Sequence, residues 1–140
     1  MPSEHRLTRR VLFHETDMAG VVHFSCFFRY MEEAEHALWR AAGLSIAPRG
    51  AAVGFPRVAA ACEFRRPLRF EDEFDVCIRV AAVTSKSIRY ACTLSSGGEP
   101  VAEGTMTVVA VKHEADGAMT PVPLPPDVVR SIQVHSDAAP

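Results

Sequence analysis

The sequence predicts an α+β fold, in which one long helix packs against a curved antiparallel sheet of about five strands. Residues 26–42 contain neither Gly nor Pro and repeat apolar side chains at helical spacing, which indicates one buried helix face. Residues 74–80 and 88–94 alternate apolar and polar side chains, which is the period of a half-buried strand. Strands before and after the helix favour a sheet that carries the helix on one face.

Local signals place each element in chain order. Residues 7–13 alternate in part and are predicted as a strand, and Gly43 suits the left-handed cap that ends the helix. The Pro and Gly residues of 45–56 predict a loop, with room for one helical turn over 49–53. Strands are predicted over 58–64, 74–80, 88–94 and 101–112, followed by a short helix from Pro125-Pro126-Asp127 to Ile132.

The length of 140 residues suits one domain that can bury a core of its own. We expect a single domain over 1–140, with the core over 5–112 and a C-terminal tail over 113–140 that carries the short helix. One helix cannot cover a curved sheet of that size, and an open edge strand invites pairing with another chain. A symmetric dimer that joins two edge strands resolves both problems.

Charge and apolar content exclude several classes of partner. The formal net charge is −2, so no broad basic field attracts nucleic acid or an anionic membrane. The sequence has no long apolar run, and we expect no leader sequence and a cytoplasmic location. The four cysteines form no Cys-x-x-Cys pair, so we expect them to be reduced thiols. We expect neither a bound metal nor a cofactor.

The candidate catalytic residues lie between Phe13 and Phe24. It places Asp17 and Gly20 in a tight turn directly before the long helix. A carboxylate can act as a nucleophile or as a general base, and free N–H groups at a helix start can bind an oxyanion. The alternative is that Asp17 only caps its turn, as Asp commonly does. A metal site of His14, Asp17 and His23 is also conceivable, but its spacing matches no usual ligand motif.

The segment Glu-Thr-Asp-Met-Ala-Gly-Val-Val-His-Phe at 15–24, followed by Arg-Tyr-Met-Glu-Glu-Ala at 29–34, resembles a known signature. It is similar to that of hot-dog-fold acyl-CoA thioesterases of the 4-hydroxybenzoyl-CoA thioesterase type. The catalytic carboxylate of that family falls on Asp17 and its glycine on Gly20. The first Asp of the motif is Glu15 here, a substitution that we expect to matter little. The resemblance implies a thioester hydrolase with a hot-dog fold, active as a homodimer or homotetramer.

The resemblance also implies roles for residues around the turn. It assigns the oxyanion donor to the Phe24 amide. Many family members carry Tyr four residues before the catalytic Asp and His seven after it, where this chain has Phe13 and Phe24. The histidine stands instead at His23, which could orient the acyl group or relay a proton to the leaving thiolate.

Substrate contacts are expected at both ends of an acyl-CoA molecule. Phe13 and Phe27 are predicted to line the acyl pocket, and Glu32 or Glu33 is the candidate for a second carboxylate on the helix. The phosphates of CoA require basic residues. The candidates for these contacts are Arg65, Arg66, Lys86 and Arg89, with Lys86-Ser87 at the hairpin position where the resemblance places nucleotide contacts.

Two other functions stay open at this point. A hot-dog hydratase would use a pair of His and Asp or Glu, and His23 keeps that function open. A non-catalytic module that binds acyl-CoA or an acyl carrier protein would use the same pocket without hydrolysis. The acyl group is not set by the sequence, because the depth of the pocket depends on packing.

Overall fold

The computed structural model describes residues 2–136, so Met1 and residues 137–140 of the predicted domain lie outside the described part. A short 3-10 turn over Phe13–Glu15 precedes the long helix. The other elements are β1 (Glu4–Arg10), α1 (Phe24–Ala41), β2 (Val53–Gly54), β3 (Arg57–Phe64), β4 (Glu73–Val83), β5 (Ser87–Ser96), β6 (Glu99–Val109), β7 (Val111–His113), β8 (Met119–Pro121) and α2 (Pro126–Ser131).

Five strands form the main sheet in the order β1-β4-β5-β6-β3. All neighbouring pairs are antiparallel, and β4, β5 and β6 follow one another as a meander. Helix α1 packs across one face of this sheet. The predicted α+β fold, with one long helix against about five antiparallel strands, is therefore confirmed.

The core lies between α1 and the sheet. The helix buries a continuous apolar face that includes Tyr30, Met31, Ala34 and Leu38, as its spacing predicts. Trp39 closes the far end of this face, and its Nε1 donates a hydrogen bond of 2.9 Å to the Tyr90 hydroxyl on β5. The sheet contributes buried side chains from its central strands, including Val76, Ile78, Val80, Ile88, Leu94, Met106 and Val108.

Three local predictions are wrong. The strand predicted over 7–13 ends at Arg10, because the Glu15 side chain accepts a hydrogen bond from the Leu12 amide and caps the turn that follows. No helix forms over 49–53: the Ala51 amide donates to the Pro48 carbonyl in a single turn, and Val53 already pairs with β7 as part of β2. The run 101–112 divides at Ala110 into β6 and β7, because Ala110 bonds to Lys86 and Val122 outside the β6 pairing.

The C-terminal segment is folded within the described part of the chain. Strands β7 and β8 pair as a hairpin and join β2 in a small second sheet. Leu124, Val128 and Ile132, from the region of α2, are buried in the main core. No helix among residues 2–136 is long and apolar enough to cross a membrane.

Strand β3 is an open edge of the main sheet. Its outer side has no partner strand among residues 2–136. Val58 is 60% exposed and Phe64 is 48% exposed, although both are large apolar side chains. This edge therefore presents unpaired backbone groups together with apolar surface.

Candidate active site

The turn over residues 16–22 is closed by backbone hydrogen bonds. Thr16 and Val22 form an isolated antiparallel bridge, and the Asp17 amide donates to the Val21 carbonyl at 2.9 Å. Gly20 has φ of +80°, and a Cβ placed there would meet nothing within 4 Å. The glycine is thus required by its backbone conformation, which L side chains rarely adopt, and not by crowding within the chain.

The Asp17 side chain has one oxygen bound and one free. Its Oδ1 accepts a hydrogen bond of 2.9 Å from the Ala19 amide, so Asp17 does cap its own turn. Its Oδ2 has no hydrogen-bond partner within the part of the chain that the structure describes. A carboxylate held at one oxygen, with the other available, is suited to act as a nucleophile or a base.

Asp17 lines an open cavity of about 650 Å³ beside the turn. Phe13 and Phe70 form one wall of it, with ring centroids 5.5 Å apart in an edge-to-face arrangement. Phe13 is 74% exposed, and the exposed side chains of Phe70 and Met18 line the same cavity, so apolar surface faces it. The structure therefore brings the predicted residues Phe13, Asp17 and Gly20 to one cavity.

The helix start leaves one backbone donor free. His23 is the N-cap of α1, and its Nδ1 accepts from the Ser25 amide at 3.3 Å and lies 2.8 Å from the Ser25 hydroxyl. The Cys26 amide donates to the His23 carbonyl at 2.9 Å. The Phe24 amide has no acceptor among residues 2–136. Such a donor, at the positive end of a helix dipole, can stabilise an oxyanion.

A second, apolar cavity of about 320 Å³ lies at this helix start. Phe27 and Phe64 form its floor with ring centroids 5.1 Å apart, and Phe24 and Arg66 also line it. The first cavity includes Gly20 and the second includes Val21, so the two adjoin at consecutive residues. Asp17 and the Phe24 side chain face neighbouring depressions and not one shared cavity in the single chain.

The remaining predicted residues lie elsewhere. Glu32 lines neither of these cavities and is bound at 3.0 Å by Arg57, which also binds the buried Glu35 at 3.0 Å. Ser87 contacts Thr84 with 2.6 Å between the hydroxyl oxygens, next to Lys86 in the β4–β5 turn.

That turn is distant from the Asp17 end of the sheet. Phe74 of β4 pairs with Arg9, near Asp17, while the opposite end of β4 at Val83 leads into the turn with Lys86 and Ser87. At about 3.3 Å per residue, this part of the strand spans roughly 30 Å. One chain therefore does not bring Lys86 and Ser87 to Asp17, and their role in binding the nucleotide stays a prediction.

Glu15 takes part in a buried ion pair that the sequence analysis did not predict. It is only 7% exposed, and both of its carboxylate oxygens contact the guanidinium of Arg9 on β1, at 2.8 and 2.7 Å. Burial opposes ionisation, but the hydrogen bonds from Arg9 and then from the Leu12 amide lower the pKa of Glu15 below its ordinary value. An arginine six residues upstream, on the same predicted strand, is the weak sequence signal for this pair.

Metal and thiol chemistry gain no support from the geometry. No group of three His, Cys, Asp or Glu side chains among residues 2–136 is arranged to hold a metal ion. All four cysteines are free thiols. Cys26 lies closest to the turn, and burial followed by the nearby Glu15 carboxylate raises the pKa of its thiol.

Known proteins similar to this chain belong to one family of esterases and thioesterases. The family model described as "Thioesterase-like superfamily" matches residues 11–132. A putative esterase of Aquifex aeolicus is 40% identical over 77 residues, which are 54% of this chain and 59% of that protein. This chain thus matches less than two thirds of the length of that relative.

Two further proteins extend the likeness over more of the chain. A 1,4-dihydroxy-2-naphthoyl-CoA hydrolase of Synechococcus elongatus is 28% identical over 104 residues, or 71% of this chain and 76% of that protein. The solved structure of a gentisyl-coenzyme A thioesterase superposes with a TM-score of 0.80 at 26% identity, covering 89% of this chain and 99% of that one.

Proposed function

Because the chain belongs to the thioesterase-like superfamily, we propose that it is an acyl-CoA thioesterase, which hydrolyses a thioester to a free acid and CoA. The names of its relatives support this class of substrate, since two of them act on aromatic CoA thioesters. The observation that carries the proposal is the free Asp17 oxygen beside a helix start whose Phe24 amide is also free. The resemblance seen in the sequence rests on the same residues.

The reaction needs attack on the thioester carbon and stabilisation of the oxyanion that forms. As a general base, Asp17 would take a proton from water, the hydroxide would add to the carbonyl, and the proton would pass to the departing CoA thiolate. As a nucleophile, Asp17 would form a mixed anhydride and release the thiolate, and water would then cleave the anhydride. In both routes the Phe24 amide would donate to the oxyanion, a contact worth about 3 kcal/mol in comparable sites.

His23 lies at the start of α1, next to the Phe24 amide. Its Nδ1 is engaged by the amide and the hydroxyl of Ser25, and its ring lies against Phe24 with centroids 4.6 Å apart. This arrangement supports a role for His23 in fixing the backbone that carries the Phe24 amide. A proton relay through its other ring nitrogen is a second role that the same position allows.

We also propose that the active form is a homodimer joined along β3. The free edge and the exposed Val58 and Phe64 are the surface that pairing with a second copy would cover. A two-fold axis beside β3 would reverse the direction of the second sheet, which brings the Lys86 end of one subunit towards the Asp17 end of the other. In such a dimer, Lys86 and Ser87 of one subunit would lie nearer to the Asp17 site of the other. Pairing of two dimers into a tetramer is compatible with the same interface.

The acyl and nucleotide ends of the substrate would then contact different surfaces. The acyl group would contact the aromatic walls made by Phe13 and Phe70, or by Phe27 and Phe64. Arg66 would meet the CoA phosphates, in exchange for its exposed ion pair with Glu99 at 3.3 Å. The cytoplasmic location expected from the sequence stays a prediction.

A thiol-release assay over a panel of aromatic, short-chain and long-chain acyl-CoA substrates tests the function. We expect release of CoA from at least one class, at a rate proportional to enzyme concentration. Binding of acyl-CoA without release, measured by calorimetry, would contradict the proposal and favour a binding module. Addition of water to an enoyl-CoA, with no thiol released, would favour a hydratase.

A further inference from the structure

Glu15 links strand β1, the turn that follows it and the start of helix α1, which meet at the candidate active site. Its carboxylate binds Arg9 on β1, and its Oε1 also accepts from the Leu12 amide at 2.8 Å. Its backbone carbonyl accepts from the His23 amide at 2.9 Å and from the Cys26 thiol at 3.6 Å. One buried residue is therefore bound through its side chain to the sheet and through its main chain to the start of α1.

Arg9 ties the same pair to the body of the helix. Its Nε lies 2.7 Å from the Glu33 carboxylate, and its guanidinium carbon lies 4.7 Å from the centre of the Tyr30 ring. Tyr30 is fully buried, and burial followed by the Glu15 carboxylate raises the pKa of its hydroxyl, so the ring stays neutral. Because Arg9 is fixed on three sides, its bonds to Glu15 have little freedom to shift.

The position of Glu15 in the chain links these bonds to the chemistry. Asp17 follows two residues later, and the Phe24 amide follows directly after His23, whose own amide is bound by the Glu15 carbonyl. The main-chain atoms that carry both reacting groups therefore have a common anchor. A displacement of about 1 Å in a reacting group can cost on the order of 10²-fold in rate.

We propose that Glu15, held by Arg9, is a positioning residue that sets the placement of the Asp17 carboxylate relative to the Phe24 amide. This inference rests on the proposed thioesterase function. Glu15 does not itself contact the substrate in this account, and it acts through Asp17 and Phe24. Its loss should therefore reduce kcat and leave KM nearly unchanged, because the binding surfaces for CoA lie elsewhere.

The direct test is Glu15→Gln, which keeps the shape of the side chain and an acceptor for the Leu12 amide but removes the charge that binds Arg9. We expect kcat to fall at least about tenfold while KM stays within about twofold of wild type. The matched control is Glu73→Gln, which removes a carboxylate from an exposed ion pair with Arg10, the neighbour of Arg9 on β1. That control should keep wild-type kcat and KM.

A second variant keeps the proposal testable if Glu15→Gln fails to fold. Arg9→Lys keeps the positive charge but cannot hold both Glu15 oxygens and Glu33 at once. It should show the same loss of kcat at nearly constant KM, whereas Arg10→Lys should not. Rates are expressed per folded molecule, from unfolding curves, so that a purely structural role would leave kcat unchanged. Wild-type kcat in either Glu15→Gln or Arg9→Lys would overturn the proposal.

Parallel assays of Asp17→Asn distinguish failure of the positioning role from failure of the thioesterase mechanism. If Asp17→Asn is inactive and Glu15→Gln has wild-type kcat, the positioning role is wrong and the thioesterase mechanism stands. If Asp17→Asn keeps its activity, the proposed mechanism is wrong, whatever the Glu15 variants show. A drop in kcat for Glu15→Gln with a matching rise in KM would also contradict a pure positioning role.

Discussion

The sulfur of Met31 occupies the space beside Gly104, so that a Cβ at Gly104 would lie 2.5 Å from it and 2.8 Å from the Ala61 carbonyl oxygen. Met31 is on the buried face of α1, and Gly104 is in β6 between Cys62 and Cys92 in the sheet. The absent side chain lets the helix approach the sheet next to the β3 edge.

Replacing Gly104 with Ala should therefore destabilise the protein. The Met31 side chain can move, but the Ala61 carbonyl belongs to the backbone of β3 and cannot move without disturbing the edge. We expect a loss of about 1–3 kcal/mol in the free energy of unfolding, as is typical of an overpacked core. Urea unfolding measures it, with Thr105→Ala, the next residue of β6, as the control. An unchanged urea midpoint for Gly104→Ala would contradict this packing argument.

Stability should fall in acid through the Glu15–Arg9 pair. The folded state lowers the pKa of Glu15 below its ordinary value of 4.5, so an unfolded chain takes up the proton first as the pH falls. The stabilisation is thus complete above the ordinary value and disappears as the pH drops through the lower, folded value. Urea midpoints measured from neutral to acid pH should decline in wild type and decline less steeply in Glu15→Gln. Equal slopes for the two proteins would show that Glu15 is not part of the acid response.

Dimer formation along β3 should depend on the exposed apolar edge. Val58→Asp places a charge on a side chain that is 60% exposed at this edge, and we expect it to dissociate the dimer and abolish activity. Val129→Asp is the matched control on α2, where Val129 is 53% exposed and far in sequence from β3. Light scattering reports the mass of each protein. A fully active wild-type monomer at micromolar concentration would exclude the dimer.

Recognition of the nucleotide should depend on Arg66 and Lys86. Arg66→Glu and Lys86→Glu should each raise KM for acyl-CoA much more than they lower kcat, because a distant phosphate contact binds ground and transition states about equally. Both effects should shrink with added salt, since exposed charges are screened over about 8 to 10 Å at physiological ionic strength. Acyl-pantetheine, which lacks the nucleotide, is the control substrate. Unchanged KM in both variants would place the nucleotide elsewhere.

Periodic patterns in the sequence are sufficient for most of the fold. The apolar spacing over 26–42 predicts α1 to within two residues, because a helix that covers a sheet must present one apolar face. Alternation likewise predicts β4 and β5. The division of the last long strand at Ala110 is not visible in the sequence, since it depends on hydrogen bonds to Lys86 and Val122 from distant segments.

The candidate site is predictable only where its residues are contiguous. Asp17 and Gly20 lie in one turn, and Phe24 is the first residue of the next helix, so these residues can be identified from a short stretch of sequence. The ion pair between Glu15 and Arg9 requires β1 and the turn to meet at a buried contact, which periodicity does not report. The distance of Lys86 from Asp17 likewise follows only from strand pairing.

The hydrolytic role of Asp17 is tested most directly by Asp17→Asn. Asn can still accept the hydrogen bond from the Ala19 amide, so the turn should persist while the nucleophile or base is lost. Asp116→Asn is the matched control, because Asp116 Oδ1 accepts from the Ala118 amide at 2.9 Å in an equivalent turn far from the site in sequence.

The measurement is kcat for CoA release by wild type, Asp17→Asn and Asp116→Asn, on the best substrate of the acyl-CoA panel. We expect Asp17→Asn to lose on the order of 10²- to 10⁴-fold in kcat, with unchanged dimer mass and unfolding midpoint, and Asp116→Asn to keep wild-type kcat. Turnover by Asp17→Asn above about half of the wild-type rate would contradict the central claim, since a catalytic carboxylate is worth far more than about twofold.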